Sequence, residues 1–259
     1  MYKTRPLFGK RSMDNSNKSI SKTSSADLIF NQYDAVDNSY PLDYHLHTDY
    51  TDGTVSAKKM SEAAIAKGIR EVLFCEHIRS TSTYFPSYAK EIRSLTFDNF
   101  KAHIGVETKI LDTDGNLDCP SEVYSYSAAI VGSVHRIPNY DDRKSITWKE
   151  VSLEEAIRIE FELASAIIDR SRAHILGHPM GMVISNWDFF PEEQLIQLAY
   201  ACEKHNKVFE LNSRYCPDPN SKIDIVQQAG CKISFGSDAH STKLIKKSWD
   251  TFVERQKTI

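Results

Sequence analysis

Only five cysteines occur in the 259 residues, Cys75, Cys119, Cys202, Cys216 and Cys231, and no two stand as Cys-x-x-Cys. An odd, scattered set argues against a disulfide framework or a thiolate zinc finger and fits reduced thiols in a cytoplasmic protein. No apolar run is long enough to span a bilayer, and the N-terminus lacks the apolar stretch of a secretory signal. The chain is therefore expected to be soluble, unexported and without a membrane partner. Neither Gly-x-Gly-x-x-Gly nor a Walker loop is present, so a nucleotide-binding fold has little support.

Charge is unevenly distributed. Through residue 25, six basic residues (Lys3, Arg5, Lys10, Arg11, Lys18, Lys22) face Asp14 alone, a local +5; the formal total of −3 leaves −8 for the rest. An acidic body disfavours nucleic acid as a partner. The stretch 11–25 holds six serines and almost no large apolar residue, too little to offset the entropy of ordering. Residues 1–40 are read as a flexible, basic and serine-rich extension. Pro6, Gly9 and the shortage of apolar residues argue against an amphipathic transit helix there.

From Pro41 to residue 259, a length and 41% hydrophobic content suited to one α/β barrel, short apolar runs alternate with helical patterns. Strands are predicted at Leu42–His45, Glu71–Cys75, Lys101–Glu107, Ala128–Val134, His174–Gly177, Lys207–Leu211 and Cys231–Phe235, about seven in all. Between them, Ser56 opens a helix over Ala57–Lys67 that stops at Gly68, and Pro191 stands before Glu192–His205. Ser152 with Glu155 three residues later has the spacing of a capping box for a helix over 152–170.

What the chain does have is histidine in particular places. His45 and His47 are two apart, as are Asp238 and His240, so each pair shares one face of an extended strand. His45, His47, His77, Glu107, His135, His178, Asp238 and His240 all fall at or just beyond the C-terminal end of a predicted strand, and Asp52 follows His47 by five residues. In a barrel those ends open onto one face, where active sites are built. Six of the nine histidines with three carboxylates are too many for one ion and suit two or three divalent metals, with a carboxylate such as Glu107 bridging. Imidazole and carboxylate without thiolate suit zinc, manganese or iron. Three such ions against three carboxylates leave a positive site that attracts an anion. Closely spaced metals present a shared water as hydroxide and neutralise phosphoryl oxygens, which is the logic of phosphoester hydrolysis.

Six ordered motifs, Asp43-Tyr-His-Leu-His-Thr-Asp-Tyr-Thr-Asp-Gly, Cys75-Glu-His, Gly105-Val-Glu, Gly132-Ser-Val-His, Leu176-Gly-His-Pro and Gly236-Ser-Asp-Ala-His, resemble those of the PHP (polymerase and histidinol phosphatase) superfamily. The resemblance covers about 200 residues and implies a distorted (β/α)7 TIM-like barrel with a trinuclear metal centre. It implies a first metal on His45, His47, Glu107 and Asp238, a second sharing Glu107 with His135 and His178, and a third on Asp52, His77 and His240. Glu76 stands where the family more often has Asp and is read as orienting a ligand. Gly132-Ser-Val-His-Arg and the stand-alone length are more similar to the histidinol-phosphatase branch. That implies a phosphatase, a hydrolase of a small phosphorylated metabolite, with His45, His47, Glu107, Asp238 and His240 at the centre of catalysis.

Arg79, Arg136 and Arg214 lie close to strand ends, where a guanidinium grips phosphate, and Arg136 beside His135 ranks first. His103, His174 and His205 fall outside the motifs and are assigned structural roles. Tyr84, Phe85 and Tyr88 follow the His77 strand in what reads as a loop over the site. Two other functions are compatible with these residues: a phosphodiesterase or exonuclease on nucleic acid, disfavoured by the acidic body, and a metal-stabilised binding module using the basic tail.

Overall fold

The computed structural model describes residues 28–138 and 146–254. Eight strands form one sheet: β1 (Asn31–Gln32), β2 (Leu42–Leu46), β3 (Glu71–Ile78), β4 (Lys101–Lys109), β5 (Ala129–Ser133), β6 (Ile175–Leu176), β7 (Val208–Asn212) and β8 (Lys232–Gly236). Strands β2 to β8 are parallel neighbours in sequence order. Their residues form near-continuous buried runs, as expected where helices cover a parallel sheet.

The cylinder closes between β2 and the residues after β8. His47 N–H donates to Ala239 O at 3.0 Å, and Ala239 N–H donates to His45 O at 3.2 Å. Lower down, β1 pairs antiparallel with β8, placing Asn31 beside Ile233. It takes β8's free edge where β2 would otherwise pair, so the barrel is closed at its C-terminal mouth and wedged apart at its base. This is the distorted seven-stranded barrel expected from the motifs, with β1 as an addition.

Part of the expected extension packs against the barrel: Leu28 is buried, and Ile29 N–H donates to the Tyr44 hydroxyl at 3.1 Å. Residues 1–27, which carry the basic, serine-rich stretch, lie outside the described residues.

Helices α1 (Ala57–Ala66), α2 (Phe85–Ser94), α3 (Val123–Tyr126), α4 (Leu153–Asp169), α5 (Gly181–Trp187), α6 (Glu192–Lys204) and α7 (Pro219–Ala229) connect the strands, and α8 (Lys247–Trp249) follows β8. Their local causes are legible. Ser152 accepts from Glu155 N–H at 3.2 Å, but Glu155's carboxylate binds Arg158, so only half of the expected capping box forms. Asp218 accepts from the N–H groups of Asn220 and Ser221, Pro219 fills the first position of α7, and Gly230 ends it at φ +67°.

Helix α2 corrects the expected loop over the site. Phe85, Tyr88, Ala89 and Ile92 repeat at helical spacing and are buried. Tyr88 ties β3 to β4 by donating to Phe74 O at 2.8 Å and Gly105 O at 2.9 Å.

Candidate metal centre

At the closed mouth the strand ends deliver their side chains inward. His45 and His47 come from β2 and the residue after it, His77 from β3, Glu107 from β4, His135 from two residues beyond β5, and His178 from two beyond β6. Asp238 and His240 follow β8, and Asp52 comes from the turn after β2. His178 and Asp238 hold positive φ angles of +26° and +52°. Both are left-handed positions uncommon for non-glycine residues, and such strain gathers where a side chain must be aimed.

Glu107 stands in the middle. It is buried, and its Oε1 lies 2.9 Å from His178 Nε2 and 3.1 Å from His135 Nε2, while Ser133 donates to the same oxygen at 2.7 Å. Its Oε2 faces the other way, 2.9 Å from His77 Nδ1, 3.5 Å from His45 Nε2 and 3.7 Å from His47 Nε2. Asp238 Oδ1 lies 3.2 Å from His47 Nε2, and Asp52 Oδ2 lies 3.3 Å from His77 Nε2 and 3.2 Å from His240 Nε2.

All nine expected ligands are therefore brought together. Three sets of ligand atoms are each close enough to share an ion: His47, Asp52, His77 and His240; His45, His47 and Glu107; His77, Glu107 and His135. His47 thus reaches toward two of the implied sites, and His77 toward Glu107 as well as Asp52.

Several residues support these ligands; of them the sequence pointed to Glu76 and not to Glu210, Trp148 or Tyr215. Glu210 on β7 is fully buried; its Oε1 lies 2.6 Å from His45 Nδ1, and its Oε2 accepts from His178 N–H at 2.5 Å. Gly236 on β8 admits it, since a Cβ there would stand 2.0 Å from Glu210 Oε1. Asp43 accepts from Ser237 N–H and Oγ and from Lys246 N–H, tying β2 to the segment that carries Asp238. Glu76 accepts from Thr48 N–H at 2.6 Å and Thr51 Oγ1 at 2.5 Å, which shapes the turn leading to Asp52. Trp148 donates to His135 O, and Tyr215 packs on His178 with ring centroids 4.8 Å apart. The one signal for Glu210 was its place on β7, the single parallel strand with no assigned ligand.

Electrostatics match this geometry. Burial disfavours a charged His45, but Glu210 and Glu107 outweigh it and raise its pKa well above the ordinary imidazole range. Burial pushes His47 down to about 4. Burial likewise opposes ionisation of Glu107, yet His135 and His45 hold its pKa well below the usual carboxylate range. For Asp238, the neighbouring imidazoles of His47 and His45 overcome burial in the same direction.

These residues fit divalent metal ions. His45 Nε2 and both ring nitrogens of His47 are buried and lack a hydrogen-bond partner among the described residues. A buried polar atom without a partner is costly, and a ligand supplies one. The Glu210 carboxylate can only accept, so it keeps a proton on His45 Nδ1, and a metal on the Glu107 side would take the place of the proton on Nε2.

The arginines differ. Arg79 and Arg136 are exposed and line a cavity of about 270 Å³ with Asp52, His77, Glu107 and His135. Arg214 is held at 3.0 Å by Asp238 Oδ2 and does not line that cavity. The remaining histidines serve the scaffold: His103 meets Glu71 at 2.8 Å, His174 accepts from Ile130 N–H, and His205 pairs with Asp169.

Comparison with known proteins agrees with this site. Over 221 residues the chain is 27% identical to the DNA polymerase/3'-5' exonuclease PolX of Bacillus subtilis, covering 78% of this chain and 35% of that protein. It thus spans about a third of that relative's length. It is 24% identical to a "Probable phosphatase" of Pectobacterium atrosepticum, covering 78% and 79% of the two chains. Its fold is similar to the histidinol phosphate phosphatase of Lactococcus lactis, solved with zinc, L-histidinol and phosphate, with a TM-score of 0.64, 24% identity and coverage of 83% and 93%. The PHP domain model matches residues 43–214, which is more than half of the chain and spans seven of the nine expected ligands. The chain belongs to the PHP domain family.

Proposed function

We propose that this protein is a metal-dependent phosphomonoesterase acting on a small phosphate ester. The observation that carries the reading is Glu107, whose two oxygens face separate groups of histidines in the depth of one open mouth. Two or three divalent ions suit the set: His45, His47, Glu107 and Asp238 for one, Glu107, His135 and His178 for another, and Asp52, His77 and His240 for a third. Zinc, manganese and iron all match imidazole and carboxylate donors. When bound, such ions withdraw charge from phosphoryl oxygens and lower the pKa of water.

The chain's own residues do the rest. Arg136 and Arg79, exposed at the rim of the cavity, orient the anionic substrate through charged hydrogen bonds. Arg214, anchored on Asp238, holds that carboxylate in place. Glu210 keeps His45 in one tautomer and fixes the backbone of His178, so the ligand layer is set before substrate enters. Hydrolysis adds one water across the P–O bond and releases inorganic phosphate and the alcohol. A cavity of about 270 Å³ suits a metabolite better than a polynucleotide, as does the acidic body.

The test is elemental analysis followed by a screen of phosphorylated metabolites with single-stranded DNA alongside. Glu107→Ala should lower bound metal and cut turnover about 1000-fold or more while the chain stays folded by circular dichroism. A fully active Glu107→Ala protein would sink the mechanism, and faster hydrolysis of DNA than of any monoester would reassign the substrate.

A further inference from the structure

The cavity over the metal centre has a second layer. On a strand, residues i and i+2 share a face about 7 Å apart. His77 and Glu107 are paired in register on β3 and β4. Two residues beyond each stand Arg79 and Lys109, and Arg136 follows His135, so three cations line the same cavity one step outward from the ligands.

Among the described residues their charge is mostly uncompensated. Lys109 Nζ lies 3.3 Å from Asp118 Oδ2, and Asp118 is itself held by Ser80 N–H and Oγ, which fixes the lysine against the wall. Arg79 and Arg136 make no ion pair among the described residues. Among the described residues, the carboxylates lining the cavity are Asp52 and Glu107, and both face the histidines. Among the described residues of this outer layer, three cations against Asp118 leave an excess of two positive charges.

A phosphoryl group seated in the layer of His77, Glu107 and His135 does not need all of these. We propose that Arg79, Lys109 and Arg136 form a specificity wall that recognises a second anionic group, a carboxylate or a second phosphate, on the alcohol half of the substrate. The inference rests on the phosphomonoesterase reading and narrows it. It also predicts that an ester with a cationic alcohol half, as in histidinol phosphate, is a poor substrate, because its ammonium would face this wall.

The test uses the full-length, metal-loaded protein and matched pairs: 3-phosphoglycerate against glycerol 3-phosphate, and fructose 1,6-bisphosphate against fructose 6-phosphate, with histidinol phosphate added. The expected kcat/KM is about 10-fold or more higher for the doubly anionic member of at least one pair, and lowest for histidinol phosphate. Which pair shows the larger ratio identifies the second group. Lys109→Met and Arg136→Met should each shrink that ratio about fivefold or more. A readout independent of turnover is calorimetric binding of 3-phosphonopropionate against propylphosphonate to the wild-type protein, where the carboxylate should again confer about 10-fold. Equal ratios across the pairs, equal binding of the two phosphonates, or a preference for histidinol phosphate overturns the wall while leaving the phosphatase standing. A metal-loaded protein that hydrolyses no monoester overturns both.

Discussion

Glu210 has no spacing motif, yet it touches two expected ligands that are 133 residues apart, His45 and His178. Replacing it with Gln keeps the volume but turns an N–H₂ group toward one of two donors that both need an acceptor. Glu210→Gln is expected to weaken metal affinity about 10- to 100-fold, read by competition with a chelating dye; unchanged affinity would remove Glu210 from the site. Glu160 on α4 is a different residue-scale case. It is buried, accepts from Met182 and Val183 N–H, and burial pushes its pKa up to about 7. Its folded pKa exceeds its unfolded value of about 4.5, so the native state binds the extra proton between those values and stability falls as pH rises through the window. Relative to Glu160→Gln, which cannot titrate, the wild type should lose about 3 kcal/mol from pH 4.5 to 7 in denaturant titrations. A pH-independent difference would show that the carboxyl is not held protonated. The ligands themselves were legible as single residues; their supports were not, because a carboxylate buried behind a histidine carries no periodicity.

At the scale of elements, periodicity and end signals located all seven parallel strands, and each expected strand overlaps the observed one. The ends moved: β3 runs to Ile78 and β4 to Lys109, each beyond its expected stop, because register pairing with the neighbouring strand supplies hydrogen bonds that propensity cannot anticipate. The two-residue β1 was invisible for the same reason, being defined only by its pairing with β8. Tyr84, Phe85 and Tyr88 read as a loop, although Phe85, Tyr88 and Ile92 already had helical spacing; tertiary packing against β3 and β4 decided it. Helix α4 tests the local rule. Ser152→Ala removes the side chain that accepts from Glu155 N–H and should cost about 1 kcal/mol in chemical denaturation, with no change in metal content.

For the whole molecule, the candidate centre draws its groups from the ends of six parallel strands and one turn, so ions bound there would link segments from residue 45 to residue 240. Ions that bind only the folded state stabilise it by mass action, about 4 kcal/mol at a thousandfold excess over Kd. Stripping metal with EDTA should therefore lower the melting temperature by roughly 10 °C, and adding zinc or manganese back should restore it. An identical melt with and without EDTA would contradict a multinuclear centre. The sequence by itself determined the alternation of strand and helix, the two-residue spacing that puts His45 beside His47, and the recurrence of ligands at strand ends, because these depend on local backbone periods. Only the tertiary structure decided that Glu107 divides its two oxygens between separate histidine groups, that Glu210 stands behind two of the ligands, and that Arg79, Lys109 and Arg136 share one wall. Those relations join residues on different strands through barrel closure, and no period along the chain encodes which side chains a closed cylinder brings face to face.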